Sequence, residues 1–123
     1  MTLPPTATFF EYCYRDASNY KSWERLLLRG CASDADIRNL MGHLHDGEFF
    51  IAEQLRIPSL YAELWALSGG PTDADHVWHA FHALTPAKAH EINLPVFATV
   101  ESLIASFQAV SVWHEHLSPH WGL

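Results

Sequence analysis

TFFEYCYRD at residues 8–16, ASN at 17–19 and YKSWERLLLR at 20–29 form the stretch on which the fold turns. Two runs rich in aromatic and aliphatic residues flank three turn-formers, the pattern of an antiparallel hairpin. With Ser18 and Asn19 at the centre of the turn, Asp16 faces Lys21, Tyr14 faces Trp23, Tyr12 faces Arg25 and Phe10 faces Leu27, all on one face. A two-residue slip sets Glu11 opposite Glu24, a like-charge pair that costs stability, so the first register is expected. Ser-Asn is a poorer two-residue turn than Asn-Gly, which leaves a longer loop open.

Beyond Gly30 the period of the apolar residues changes from two to about 3.6. Ser33 with Asp36 resembles a capping box with Asp in place of Glu, and Ile37, Leu40, Met41 and Leu44 follow at helical spacing until Asp46-Gly47 ends the helix. In EFFIAEQLRI, residues 48–57, Phe49, Ile51, Leu55 and Ile57 share a face; this suggests a third strand, with a helix left open, and Pro58 stops either one. Residues 60–67 suit a short helix before the loop SGGPTDAD. Asp75 is placed to cap a second short helix, HVWHAFHAL, and a connector at 85–95 leads to a long helix starting near Pro95 and reaching residue 116. Its stripe is Val96, Val100, Leu103, Phe107 and Val110, bordered by Phe97 and Ile104. The expected fold is α+β: a single domain over residues 1–123, with an N-terminal hairpin packed on amphipathic helices.

The composition fits that expectation. The chain has 123 residues, 49% of them apolar, enough to bury a core without disulfides or a structural metal. Cys13 and Cys31 form no metal pair and no disulfide framework, and read as reduced thiols. MTLPPTATFFEYCY lacks a basic region before its apolar residues, and no apolar run reaches membrane-spanning length. A cytoplasmic protein without a membrane segment is expected. The net charge is −7, and residues 62–123 contain only Lys88 against six acidic residues. Nucleic-acid and anionic-membrane binding are therefore disfavoured, although a local basic pocket for one small anion is compatible with the sequence.

Polar and aromatic groups are densest in YCYRDASNYKSWER, residues 12–25. Arg15, Lys21 and Arg25 are three of only seven basic residues, and they lie among Tyr12, Tyr14, Tyr20 and Trp23 with Asp16, Ser18 and Asn19. Guanidinium groups bind phosphate while rings stack on bases, so a nucleotide-type anion suits the segment. Under the expected register Lys21 and Arg25 share the face of Tyr12, Tyr14 and Trp23, and Arg15 points away. The same residues also suit a hairpin with no ligand, through an Asp16 to Lys21 pair and Asn19 in a left-handed turn.

The run Phe10, Tyr12 and Tyr14-Arg15-Asp16-Ala17-Ser18-Asn19-Tyr20-Lys21, with Asp46-Gly47-Glu48-Phe49-Phe50-Ile51 and Glu53-Gln54 later, resembles a group of small uncharacterised bacterial proteins with such a hairpin and a similar phrase after the first helix. The resemblance covers about residues 9–60, reaches at most to His76–Phe81, and excludes the C-terminal helix. It implies a compact domain and directs attention to the hairpin, but names no substrate.

Nine histidines are many for this length. On a helix His76, His79 and His82 would lie opposite the apolar face, the outer two about 120° apart, too divergent to share one ion with the middle one. No His-Glu-x-x-His sequence completes a site. His114 falls in line with the core stripe and reads as a core histidine. There is neither a glycine-flanked serine elbow nor a phosphate-cradling loop.

The leading expectation is a non-catalytic binding module with no cofactor, whose aromatic surplus contacts a protein partner or a second copy. One form of it is an accessory or inhibitory subunit in a defence or counter-defence system. The alternatives are a nucleotide-type ligand held by the hairpin, and a metal-dependent enzyme using His76, His79 and His82 with Asp73 or Asp75.

Overall fold

The computed structural model describes residues 6–16, 18, 20–71 and 75–118. Strand β1 (Ala7–Arg15) pairs antiparallel with β2 (Lys21–Arg29). The chain continues through helix α1 (Asp34–Met41), the two-residue strand β3 (Phe49–Phe50), the single helical turn α2 (Ala52–Leu55) and helix α3 (Tyr61–Ser68). Strand β4 (His79–Pro86), strand β5 (Val96–Thr99) and helix α4 (Val100–Gln108) complete it. Among the described residues the strands form one mixed sheet in the order β3-β4-β1-β2-β5, with β2 and β5 parallel. The fold is α+β.

Alternation along β1 divides its side chains between two faces. Phe10, Tyr12 and Tyr14 are fully buried and join Leu28, Phe50, Leu40, Leu55, Tyr61, Leu103 and Phe107 in one core fed by all four helices. Phe10 is its hub, with ring centroids 5.3–6.1 Å from those of Tyr12, Phe50, Phe81 and Phe107. The opposite, outer face is partly covered where the Arg25 guanidinium lies 4.2 Å from the centre of the Phe9 ring and pairs with Glu91 at 2.9 Å.

The hairpin register is displaced by one residue from the expected one. Arg15 faces Lys21, Cys13 faces Trp23 and Glu11 faces Arg25. The turn explains the shift: Asp16 Oδ1 accepts from the backbone N–H groups of Ser18 and Tyr20, at 2.9 and 3.0 Å, and the Asp16 N–H donates to the Tyr20 carbonyl. The loop therefore closes between Asp16 and Tyr20 and spans five residues, and opposite charges meet at Glu11 and Arg25. A one-residue shift turns a strand over. Lys21, Trp23 and Arg25 thus leave the face of Tyr12 and Tyr14 and join Arg15 on the outer one.

Three other elements depart from expectation. From His79 onward HVWHAFHAL is strand rather than helix, and β4 lies between β3 and β1. Tyr12 pairs with Phe81 and Glu11 with Ala83, so His82 is an extra, bulged residue. The bulge puts Phe81 and Leu84, three apart, toward the core, and this imitates a helical period. The expected strand at 48–57 shrinks to Phe49–Phe50, because Arg56 at φ 58° closes a helical turn over Ala52–Leu55. The long C-terminal helix is nine residues. Val96–Thr99 extends beside β2, and Thr99 caps α4 by accepting from Ser102 N–H at 3.0 Å. After Gln108 the chain leaves the helix, and the Gln54 side chain ties it down, donating to the Val112 carbonyl at 2.9 Å and accepting from His114 N–H at 2.7 Å. Val96 and Phe97 are consequently exposed, as is His114, while Val100, Leu103, Ile104 and Phe107 are buried.

Helix α1 begins as its sequence suggests: Ser33 Oγ accepts from Asp36 N–H at 3.1 Å, and Asp36 Oδ2 accepts from Ser33 N–H at 2.9 Å. It stops at Gly42, and Asp46-Gly47 instead makes a tight reversal, both residues at positive φ, that brings Phe49 back against His45.

Candidate ligand-binding cleft on the outer face of the sheet

The outer face carries one row of side chains across four strands. Phe49 of β3 pairs with Ala80 of β4, Ala80 with Cys13 of β1, and Cys13 with Trp23 of β2. Small residues hold the middle of the row and large rings its two ends, so the surface is concave. The result is a cleft of about 630 Å³. One side is built by Trp23, whose ring meets His82 edge-on at 5.3 Å; the other is built by Trp78, stacked on His45 at 4.5 Å. Arg15, Asp16 and Lys21 line the hairpin end, and Asp46 and Glu48, from the loop entering β3, line the other.

Each expected site residue among the described ones has a definite place. Arg15, Asp16, Lys21 and Trp23 line the cleft. Asp16 also braces its own turn. Arg25 lies on the same outer face but is engaged by Glu91 and Phe9 and does not line the cleft, whereas Arg15, expected to point away, faces Lys21 there. Tyr12 and Tyr14 are core residues: Tyr12 donates to the Pro58 carbonyl at 2.7 Å and Tyr14 to Asp75 Oδ1 at 2.5 Å. Burial raises both phenol pKa values, helped by Glu24 at Tyr12 and by the bond to Asp75 at Tyr14. Asn19 and Asp73 lie outside the described residues.

The three histidines of the metal alternative do not converge. His79 is buried between Tyr14 and Tyr61, its Nε2 accepting from Leu60 N–H at 2.9 Å. His82 is exposed at the bulge, on the other side of the sheet. His76 precedes the strand; its Nδ1 accepts from Trp78 N–H at 3.0 Å, so the proton sits on Nε2, which donates to the Arg15 carbonyl at 2.6 Å. Both nitrogens are thus occupied. Among the described residues no group of three or more His, Cys, Asp or Glu side chains is arranged to hold a metal ion.

Cys13 occupies the cleft floor and is buried. Burial raises its thiol pKa; Arg15 and Lys21 oppose the rise and Glu48 adds to it. A thiol kept protonated is a poor nucleophile, so the floor acts as a small apolar surface. His45, Asp46, Glu48, Phe49, Trp78 and Ala80 had not been singled out as site residues. A signal existed for five of them: Asp46, Glu48 and Phe49 fall in the phrase Asp46–Ile51 singled out in the sequence, and Trp78 and Ala80 fall in the His76–Phe81 region.

No helix among the described residues is long and apolar enough to cross a membrane. Comparison with models of protein families, with curated proteins and with solved structures gave no match.

Proposed function

We propose that the protein is a non-catalytic binding protein whose outer-face cleft takes a small ring-bearing ligand with an anionic group. The observation that carries this reading is the row Trp23, Cys13, Ala80 and Phe49, small in the middle and aromatic at both ends. Such a floor accepts a flat ring, and Arg15 and Lys21, facing each other across β1 and β2, supply donors for a phosphate or carboxylate. A mononucleotide has both parts.

A thermal-shift screen of mononucleotides, cyclic nucleotides and aromatic carboxylates tests it. A ligand should raise the melting temperature with the logarithm of its concentration. Ala80→Phe, which fills the floor from the open side, should abolish the shift and leave the fold intact. If no compound stabilises the wild type, or the Ala80→Phe protein responds equally, the cleft is not a ligand site.

A second reading, docking on a protein partner, draws on Tyr20 and Trp23, which are 65% and 55% exposed beside the turn of the hairpin. It needs no cleft, and Ala80→Phe would leave it unaffected.

A further inference from the structure

The charges of the cleft are sorted by position. Arg15 and Lys21 stand on β1 and β2, while Asp46 and Glu48 stand in the loop that enters β3, beyond β4. Neighbouring strands are about 4.8 Å apart, so two to three strand spacings separate the cationic end from the acidic end by on the order of 10 Å or somewhat more. Between them lie the Cys13 and Ala80 floor and its aromatic ends. Cys13 lies within electrostatic reach of both ends: Arg15 and Lys21 lower its thiol pKa and Glu48 raises it.

The acids at the far end have little else to do. Asp46 and Glu48 are exposed, and the ion pairs of the described residues give Asp46 only His45, whose Nε2 is 3.5 Å away, and give Glu48 none. Glu48 is nevertheless fixed in place by its backbone, whose carbonyl accepts from Phe81 N–H at 2.9 Å. Asp16, the acid at the cationic end, spends its Oδ1 on two backbone donors of the turn. A purely anionic ligand would meet repulsion where Asp46 and Glu48 stand, and a purely cationic one would meet it at Arg15 and Lys21.

We infer that the ligand is zwitterionic, with its anionic group on Arg15 and Lys21, a flat ring over the Cys13 and Ala80 floor, and a cationic amine against Asp46 and Glu48. This rests on the reading of the cleft as a ligand site and specifies its ligand class. Recognition at both ends favours a molecule whose opposite charges are about 10 Å apart over one that carries either charge alone.

The tripeptide Gly-Trp-Gly is a probe of the right reach, since three extended residues span about 10 Å. Calorimetric titration of the full chain at pH 7, where the peptide's α-amine is mostly protonated, compares the free peptide with its N-acetylated, C-amidated and doubly blocked forms. The free peptide should bind most tightly. Each block should weaken it about tenfold, the scale of one charge-assisted hydrogen bond. In the double variant Asp46→Asn with Glu48→Gln the N-acetylated and free peptides should become equivalent while the C-amide penalty remains; Asn tolerates the left-handed backbone of residue 46. Lys21→Gln should do the reverse. If the N-acetylated peptide binds the wild type as well as the free one, the zwitterion inference is overturned and the cleft reading stands. If no form of the peptide binds, the inference is likewise overturned; the cleft reading falls with it only when mononucleotides and aromatic carboxylates also leave the melting temperature unmoved.

Discussion

Tyr14 and Asp75 are joined by a single hydrogen bond, the phenol donating to the carboxylate at 2.5 Å from a fully buried ring. The same hydroxyl accepts from His76 N–H at 3.2 Å, so one side chain of β1 fixes the approach of the chain to β4. Tyr14→Phe keeps the ring and removes both bonds. Urea unfolding should show a loss of about 1.5–3 kcal/mol, the range for a hydrogen bond to a charged group. A loss below about 0.5 kcal/mol, the scatter of neutral surface changes, would mean that the bond does not hold the two segments together.

Buried phenols also set an alkaline limit. Tyr12 and Tyr14 are held above their ordinary pKa of 10.0 when folded, chiefly by burial. Their contribution is fully present below the unfolded value, and it is lost as pH rises from about 10 through the folded values. The melting temperature should therefore fall steeply above about pH 10. Double replacement by Phe should flatten that fall, although it lowers stability at pH 7; a slope unchanged by the replacement would place the alkaline transition elsewhere.

Gln54 secures the segment after α4 with both ends of its amide. Gln54→Ala should accelerate hydrogen exchange at the His114 amide by at least tenfold and leave the amides of the β1–β2 ladder unchanged. Global stability should fall by only about 1 kcal/mol, because the bonds are exposed. Equal protection of His114 in the variant would contradict the assignment.

Phe107 is fully buried on α4, with its ring centroid 6.1 Å from that of Phe10 and 5.8 Å from that of Phe50. Phe107→Ala should cost about 3–5 kcal/mol, measured by chemical denaturation, whereas Phe97→Ala on the exposed part of β5 should cost under about 1 kcal/mol. Similar losses at the two positions would argue against a core packed on α4.

What could be read from the sequence follows a physical line. Residues whose structure is set by near neighbours were legible: the alternation of β1, the Ser33 and Asp36 caps, and the helix ahead of Gly69. Residues whose structure is set by distant ones were not. The hairpin register was settled by Asp16 closing its own turn, a side-chain choice that strand pairing alone does not reveal. The bulge at His82 shifted an alternating pattern into one that imitates a helix, and only the pairing with Glu11 and Tyr12 exposes it. Val112 to His114 are not helical, and Gln54 holds them from far along the chain. The cleft inherits each of these errors: with β2 turned over and β4 read as a helix, neither Arg15 beside Lys21 nor Cys13 beside Ala80 could be placed.

The position of β1 in the sheet bears on how the molecule is made. One edge of β1 is satisfied by β2, which follows it immediately, but the other waits for β4, so that Thr8 finds Pro86 only after the long segment between them has emerged from the ribosome. During synthesis the first hairpin therefore presents an unpaired strand edge until β4 arrives, with Phe10, Tyr12 and Tyr14 only partly covered by the segments between. Closing so distant a pairing is slow, and an exposed apolar edge invites pairing with other chains. The vulnerable stage in the life of this protein is the interval between the first hairpin and the arrival of β4, and its yield in the cell should depend on chaperone supply more strongly than its folded stability alone would suggest.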